Sequence, residues 1–279
     1  MPGLCFHLFA LGYSLVNQEV TPAVNHRSWN AVSRAVLAAA ALAFAISGRA
    51  QSPQASKSRN VALYAAVGPE LIRYEVDVGS ATLAKRESVM LPDNVQYAWP
   101  HPSGQYLYVA WSNGAGAGHH GLAAFRIDAA AAALHLHGNP LPLTARPIHV
   151  TADIPGTHVL VAYNHPSGVS VHRINPDRNI GSRVEQPNPL DVGIYAHQVR
   201  VHPSNLMAIL VTRGNGPANG KPEDPGALKV LGYKDGVLTS RASVAPGGGF
   251  GFQPRHLDFS DPWVFVSLER QNKLQGTGS

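Results

Sequence analysis

Short apolar runs separated by Gly- and Pro-containing turns recur through most of the chain after residue 60. Segment 96–111 is representative, with a strand-like run, a His-Pro-Ser-Gly turn and a second strand-like run. Short apolar runs bounded by Gly and Pro are typical of β-strands joined by tight turns. The pattern therefore predicts an all-β chain built from hairpins.

The strand–turn–strand pattern occurs four times along the chain. The turns carry marker prolines at 102, 155, 203 and 262, which are 53, 48 and 59 residues apart. A period of roughly fifty residues that holds about four strands is typical of a β-propeller, in which each small sheet buries its faces against its neighbours. We predict a β-propeller of four-stranded blades with about four to five blades present, where closed propellers have about 4–8. An open sandwich with coincidental repeats is the alternative.

An apolar run near the N-terminus has the pattern of an export signal. The run is Ala35–Ile46, with Arg27 and Arg34 before it and small residues at Gly48 and Ala50 after it. A basic region, a short apolar core and small residues at the cleavage site define such a signal, and a membrane span needs about 20 apolar residues. We therefore expect a periplasmic or secreted protein. A buried helix is the alternative interpretation of the run.

These patterns divide the chain into three parts. We assign residues 1–50 to an N-terminal extension and signal peptide, 51–60 to a disordered linker and 61–279 to the propeller domain. The last five residues, 275–279, lack a strand pattern, and no segment supplies a closing strand. We therefore expect an incomplete propeller that is truncated at its C-terminal end.

Composition and charge exclude several classes of function. The chain has 279 residues, with 27 Gly and 22 Pro, and this favours a turn-rich β-fold over a helical one. The net charge of +5 is too small and too scattered for a nucleic-acid surface. The single cysteine, Cys5, excludes an intramolecular disulfide and a cysteine metal site.

One predicted hairpin brings opposite charges together. Arg255 and His256 begin its first strand, and Glu269 ends its second strand. In an antiparallel hairpin the start of one strand lies beside the end of the next, so Arg255 and Glu269 are expected to meet at one sheet edge. Such a pair is either a surface ion pair or half of a catalytic site.

Several short segments resemble the lactonase family of seven-bladed propellers. This family includes the propeller-type 6-phosphogluconolactonases and the carboxymuconate lactonising enzymes. The resemblance extends from about residue 61 to residue 271, and its most specific segments are Pro147–His149, Ala196–Val199, Lys221–Leu228 and Pro254–Leu257 together with Glu269.

The resemblance implies a functional funnel lined by a histidine, an arginine and a glutamate. The matching residues are His197, Arg255 and Glu269, and His149 occupies a comparable strand start one blade earlier. The family pattern includes further residues, another arginine among them, from blades that this sequence does not contain. The segment Val266–Glu269 also departs from the usual Val-Asn-Glu ending, although the glutamate is in place.

Lactone hydrolysis needs a proton acceptor for water and a stabiliser for the oxyanion. Glu269 or His197 is the candidate base, because burial or a neighbouring group can tune either residue type toward neutral pH. Arg255 is the candidate oxyanion stabiliser, because it stays charged and donates from a planar fork. His149 and His256 are candidate substrate-binding residues, the partner is a small-molecule lactone, and the chemistry requires no metal or other cofactor.

Each of these residues also has a structural interpretation. Histidines at strand starts often cap loops, and Arg255 can bond carbonyl groups between blades. A non-catalytic exported propeller that binds a protein or a glycan is therefore the alternative function, since a fold does not determine a function. Convergence of His197, Arg255 and Glu269 on one face favours the enzyme.

Overall fold

The computed structural model describes residues 7–11, 61–114 and 118–278. These residues form five antiparallel sheets arranged as the blades of a propeller. The prediction of an all-β propeller is therefore confirmed. In the described ranges, helical structure is limited to a single 3₁₀ turn, Pro246–Gly249, and no helix there is long and apolar enough to cross a membrane.

The first two blades are four-stranded, and each runs in sequence order from the axis outward. Blade 1 consists of β1 (His7–Leu11), β2 (Val61–Val67), β3 (Glu70–Asp77) and β4 (Thr82–Met90). Blade 2 consists of β5 (Val95–Pro100), β6 (Tyr106–Ser112), β7 (His120–Ile127) and β8 (Leu134–Pro142).

Blades 3 and 4 repeat this order, and blade 5 contributes three described strands. Blade 3 consists of β9 (Pro147–Ala152), β10 (His158–Asn164), β11 (Ser167–Ile174) and β12 (Ile180–Arg183). Blade 4 consists of β13 (Ala196–Val201), β14 (Met207–Thr212), β15 (Ala227–Lys234) and β16 (Val237–Val244). Blade 5 consists of β17 (Pro254–Ser260), β18 (Trp263–Leu268) and β19 (Lys273–Gly278).

Two of these strands differ from the sequence analysis. The expectation that residues 275–279 are not strand is wrong, because Lys273–Gly278 pairs with β18 along its whole length. Backbone pairing does not depend on side chains, so a Gly-rich segment can join a sheet that its neighbour already defines. Strand β1 lies within the segment assigned to an N-terminal extension and pairs with β2. The predicted export signal and the linker lie outside the described residues.

The core consists of apolar layers between neighbouring blades. The second strands of blades 2 to 4 (β6, β10 and β14) are buried on both faces, so their consecutive residues contact opposite neighbours. In β6, Leu107 packs toward blade 1 and Tyr108 toward blade 3. In β14, Leu210 packs toward blade 3 and Ile209 toward blade 5. This explains why the second strands have nearly continuous apolar sequences, whereas the outer strand β4 is charged and exposed.

A histidine also joins blades 2 and 3. The ring of His101, in the turn after β5, is hydrogen-bonded to the Gly156 carbonyl (Nε2 to O, 3.0 Å) and is buried. Gly156 has φ +69°, and a Cβ atom added there would lie 2.3 Å from His101 Nε2. Both the backbone conformation and the close contact therefore require glycine at this position.

We expect Gly156→Ala to lower the free energy of unfolding by roughly 2–4 kcal/mol, as the sum of left-handed strain and overpacking. Gly220→Ala is the matched control, since Gly220 has φ +76° and no described atom within 4 Å of an added Cβ. Its expected loss is about 1–2 kcal/mol from strain alone. Urea denaturation of both variants checks this, and equal losses would show that the His101 contact is not tight.

Candidate functional site

The candidate site lies where the inner strands of blades 4 and 5 begin. The innermost strands β5, β9, β13 and β17 surround the axis, and neighbouring ones contact each other. Each of them has a register shift near its first residue. The shift leaves one bulged residue per strand, and a bulge redirects a side chain. The bulged residues are Gln96, Ile148, His197 and Arg255.

This register corrects one part of the sequence analysis. His149 was predicted to occupy in blade 3 the position that His197 occupies in blade 4. The register places Ile148 at that position, and His149 corresponds instead to Gln198 and His256. A bulge adds one unpaired residue to a strand. Aligning the blades by the first residues of their inner strands therefore assigned His149 to a position one residue away from its true one.

Arg255 and Glu269 meet as predicted from the hairpin. Arg255 Nη1 donates to Glu269 Oε1 at 2.7 Å, and 39% of each side chain is exposed. The Glu269 amide bonds the Gln253 carbonyl at 3.1 Å, which continues the pairing of β17 with β18 past the last strand residue. The ion pair therefore lies at the end of the sheet and is accessible to solvent.

A second arginine completes the ion pair from the neighbouring blade. Arg213 follows β14, and its Nε donates to Glu269 Oε2 at 2.8 Å. Each carboxylate oxygen of Glu269 thus accepts from a different guanidinium. Partial burial by itself would raise the pKa of Glu269, but the hydrogen bonds from Arg213 and Arg255 outweigh it and hold this pKa below its ordinary value.

Arg213 was not among the predicted site residues. The Arg213 amide donates a hydrogen bond to the Tyr195 carbonyl at 2.9 Å. In the next blade, the Glu269 amide donates to the Gln253 carbonyl in the same way. Arg213 and Glu269 therefore occupy the same position in consecutive repeats. Aligning the repeats by the ends of their second strands would have found Arg213, whereas alignment by strand starts did not.

Three histidines lie close to this cluster. His197 is 7% exposed, and the rings of His197 and His256 are 5.0 Å apart. His149 is wholly buried, with its ring 4.1 Å from that of Tyr97 and 6.5 Å from that of His256. The structure thus brings His197, His256, Arg255 and Glu269 together, whereas His149 is wholly buried against Tyr97.

His197 is a neutral imidazole at physiological pH. Burial, followed by the positive charge of Arg255, lowers the pKa of His197 to about 3. Its Nδ1 atom is buried and has no hydrogen-bond partner within the part of the chain that the structure describes. A neutral ring with an unpaired nitrogen can hold a water molecule, but a pKa this low makes the ring a weak proton acceptor.

Aromatic and arginine side chains fill the axis next to the histidines. The Arg200 guanidinium lies 4.5 Å from the Trp99 ring centroid and 5.7 Å from that of Phe259. These residues come three or four positions after the bulged residues on the same inner strands β5, β13 and β17. The site is therefore approached from the face on which the inner strands begin.

A long loop borders the site on that face. It connects β14 to β15 over residues 213–226, and its Glu223 accepts from the Gly251 amide (2.7 Å) and pairs with Arg270 (3.2 Å). Glu223 thus binds the arginine that follows Glu269 in sequence. Beside this second pair, two arginines share the single carboxylate of Glu269, which leaves one net positive charge next to a neutral His197. This arrangement can stabilise an anion or a developing oxyanion.

Metal-ligand geometry is a separate question. Across the ranges 7–11, 61–114 and 118–278, no three His, Cys, Asp or Glu side chains come together in a way that could hold a metal ion.

Comparison with known proteins gives a consistent result. The family model described as "Lactonase, 7-bladed beta-propeller" matches residues 61–277. The 6-phosphogluconolactonase of Bacillus subtilis (strain 168) is 26% identical over 229 residues, which cover 77% of this chain and 60% of that protein.

Two solved structures share the fold. One is from Bacteroides uniformis ATCC 8492 and is provisionally assigned as a 6-phosphogluconolactonase (TM-score 0.58, 18% identity). The other is a periplasmic gluconolactonase of Pseudomonas aeruginosa (TM-score 0.56, 16% identity). Each alignment covers 75% of this chain and 60% of the other. The chain thus spans about three fifths of the length of these relatives.

Proposed function

Because the chain belongs to the lactonase family of seven-bladed β-propellers, we propose that it hydrolyses the lactone of a sugar acid, as a 6-phosphogluconolactonase does. The observation that supports this most is the convergence of the solvent-accessible Arg255–Glu269 pair with the buried ring of His197. A cation beside two groups able to accept a proton is what lactone hydrolysis needs.

In the proposed reaction, water attacks the lactone carbonyl carbon. Its proton passes to Glu269 or His197, and Arg255 stabilises the oxyanion of the tetrahedral intermediate. The intermediate collapses, the ring carbon–oxygen bond breaks, and the proton returns to the leaving alkoxide. The product is a hydroxy acid, which releases its carboxyl proton to solvent and thereby carries one negative charge. His256, which is partly exposed beside His197, remains the proposed substrate-binding residue, whereas the wholly buried His149 is not placed to contact a substrate.

The nature of the substrate follows from the proposed location. If the run Ala35–Ile46 directs export, the protein acts in the periplasm or outside the cell, where an unphosphorylated lactone is the expected substrate. The periplasmic gluconolactonase of similar fold is consistent with this proposal.

The two candidate bases are distinguished by Glu269→Gln and His197→Gln. Removing the base should lower kcat by about 100-fold or more, whereas removing the other group should cost clearly less. Because the pKa values of both groups are lowered, we expect kcat/KM of the wild type to show no acid limb above about pH 4.3, the ordinary value for Glu. A stopped-flow pH-indicator assay measures both quantities. An acid limb near pH 6–7, the range of an ordinary His, would contradict these assignments.

A further inference from the structure

The Arg213 side chain is fixed by contacts other than its hydrogen bond to Glu269. Its guanidinium carbon lies 5.1 Å from the centroid of the Tyr195 ring, and its Nη1 donates to the Gly214 carbonyl at 3.3 Å. Only 23% of the side chain is exposed. These contacts leave Nε directed at one oxygen of Glu269, in the manner of a preorganised donor.

The loop after Arg213 closes tightly at its base. Gly214 has φ +68°, and a Cβ atom added there would lie 2.3 Å from the Asp224 carbonyl oxygen. The Asp224 amide in turn bonds the Asn215 carbonyl at 2.9 Å. The chain is therefore fixed on both sides of the loop base, and Arg213 lies at the start of that fixed segment.

The Glu269 carboxylate is divided between two blades. Arg213 from blade 4 binds Oε2 and Arg255 from blade 5 binds Oε1. Without Arg213 the carboxylate would be free to rotate and present both oxygens to Arg255, since arginine prefers a bidentate arrangement. The Arg255 donors would then be directed at Glu269 rather than at a substrate.

We propose that Arg213 is a positioning residue of this site, which holds one oxygen of Glu269 so that Arg255 keeps donors available for the substrate. The role in catalysis rests on the proposed lactone hydrolysis, but the restraint on Glu269 does not. Another ion pair between the same two blades differs in its exposure to solvent. Arg200 and Asp258 also join blades 4 and 5 at 3.0 Å, yet 74% of the Asp258 side chain is exposed.

The test compares Arg213→Gln, Arg213→Lys and the control Asp258→Asn, which removes an ion pair between the same blades. The first readout is the NMR titration of ¹³C-labelled glutamate side chains in the full chain, with Glu269→Gln to identify the signal. We expect the Glu269 signal to titrate at higher pH in Arg213→Gln, to return toward its wild-type position in Arg213→Lys, and to be unchanged in Asp258→Asn.

The second readout is the hydrolysis of gluconolactone. We expect Arg213→Gln to lower kcat by about tenfold to 100-fold through misplacement of the reacting groups, with a smaller change in KM and an acid limb at higher pH. Arg213→Lys should recover part of kcat.

The two readouts separate the two proposals. If the wild type does not hydrolyse lactones while the Glu269 titration moves as expected, the proposed function fails and the restraint by Arg213 stands. If Arg213→Gln matches Asp258→Asn in the titration, the positioning role is overturned, whatever the activity. If the titration moves but kcat matches that of Asp258→Asn, the contribution of Arg213 to catalysis is overturned.

Discussion

Arg255→Ala is expected to lower kcat for lactone hydrolysis by about 10²–10³-fold, the cost of removing one oxyanion donor. Arg255 is the bulged second residue of β17, its Nη1 donates to Glu269, and 39% of its side chain is exposed. Its guanidinium therefore has further N–H groups available on the side of solvent. The charge of the cluster strengthens this role, because two arginines share the single carboxylate of Glu269.

Steady-state kinetics with two companion variants tests this. Arg255→Lys keeps the charge without the planar fork, so its kcat should lie between those of the wild type and the alanine variant. Arg86→Ala removes an arginine from an exposed ion pair with Glu75 (2.6 Å) on the outer strand β4 and should leave kcat unchanged. Equal kcat values for Arg255→Ala and Arg86→Ala would remove Arg255 from the mechanism.

Asp153→Ala is expected to lower the free energy of unfolding by about 3–5 kcal/mol, as is typical when one partner of a buried charged network is removed. The Asp153 side chain is 1% exposed. It accepts from the amides of Thr157 and His158, from the Thr157 hydroxyl, and from the Tyr233 hydroxyl of blade 4 at 2.9 Å, and it pairs with His158 Nδ1 at 3.1 Å. The carboxylate thus closes the turn between β9 and β10 and joins blades 3 and 4.

The same network leads us to expect a loss of stability at low pH. Burial by itself would raise the pKa of Asp153, but hydrogen bonds from His158, Thr157 and Tyr233 outweigh it and lower this pKa from 3.8 to about 2. A carboxyl with a lowered pKa stabilises the fold above its unfolded-state value, and this contribution is lost as the pH falls. Roughly 2 kcal/mol should therefore be lost between about pH 4 and pH 2.

Urea denaturation at pH 7 and in a series down to pH 2 measures both effects. Asp153→Asn should reduce the slope of stability against pH in the acid range. Asp258→Asn is the control, because its carboxylate is 74% exposed and its loss should cost less than about 1 kcal/mol. If Asp153→Ala is as stable as Asp258→Asn, the buried network does not hold the blades together.

The sequence predicted the propeller because the pattern of each blade is local. Consecutive apolar residues such as those of β6 and β14 indicate strands buried on both faces, and Pro-containing turns mark the hairpins. The Arg255–Glu269 contact was predictable for the same reason, since both residues belong to one hairpin and antiparallel pairing fixes their proximity.

The missed features depend on contacts that are not local. Arg213 meets Glu269 from a neighbouring blade, so no single hairpin predicts the contact. The bulge that places Ile148 rather than His149 at the position of His197 has no clear sequence signal. Strand β19 was missed because glycine and polar residues hide its pattern, although pairing with β18 defines it.

The most direct test of the account is the rate of gluconolactone opening by the purified full chain, measured against the spontaneous rate with a pH indicator. We expect hydrolysis well above the spontaneous rate in the wild type and a return nearly to that rate in Arg255→Ala. Tight binding of the lactone or of a glycan with no acceleration of ring opening, in a folded protein, would contradict the enzyme and favour a non-catalytic binding propeller.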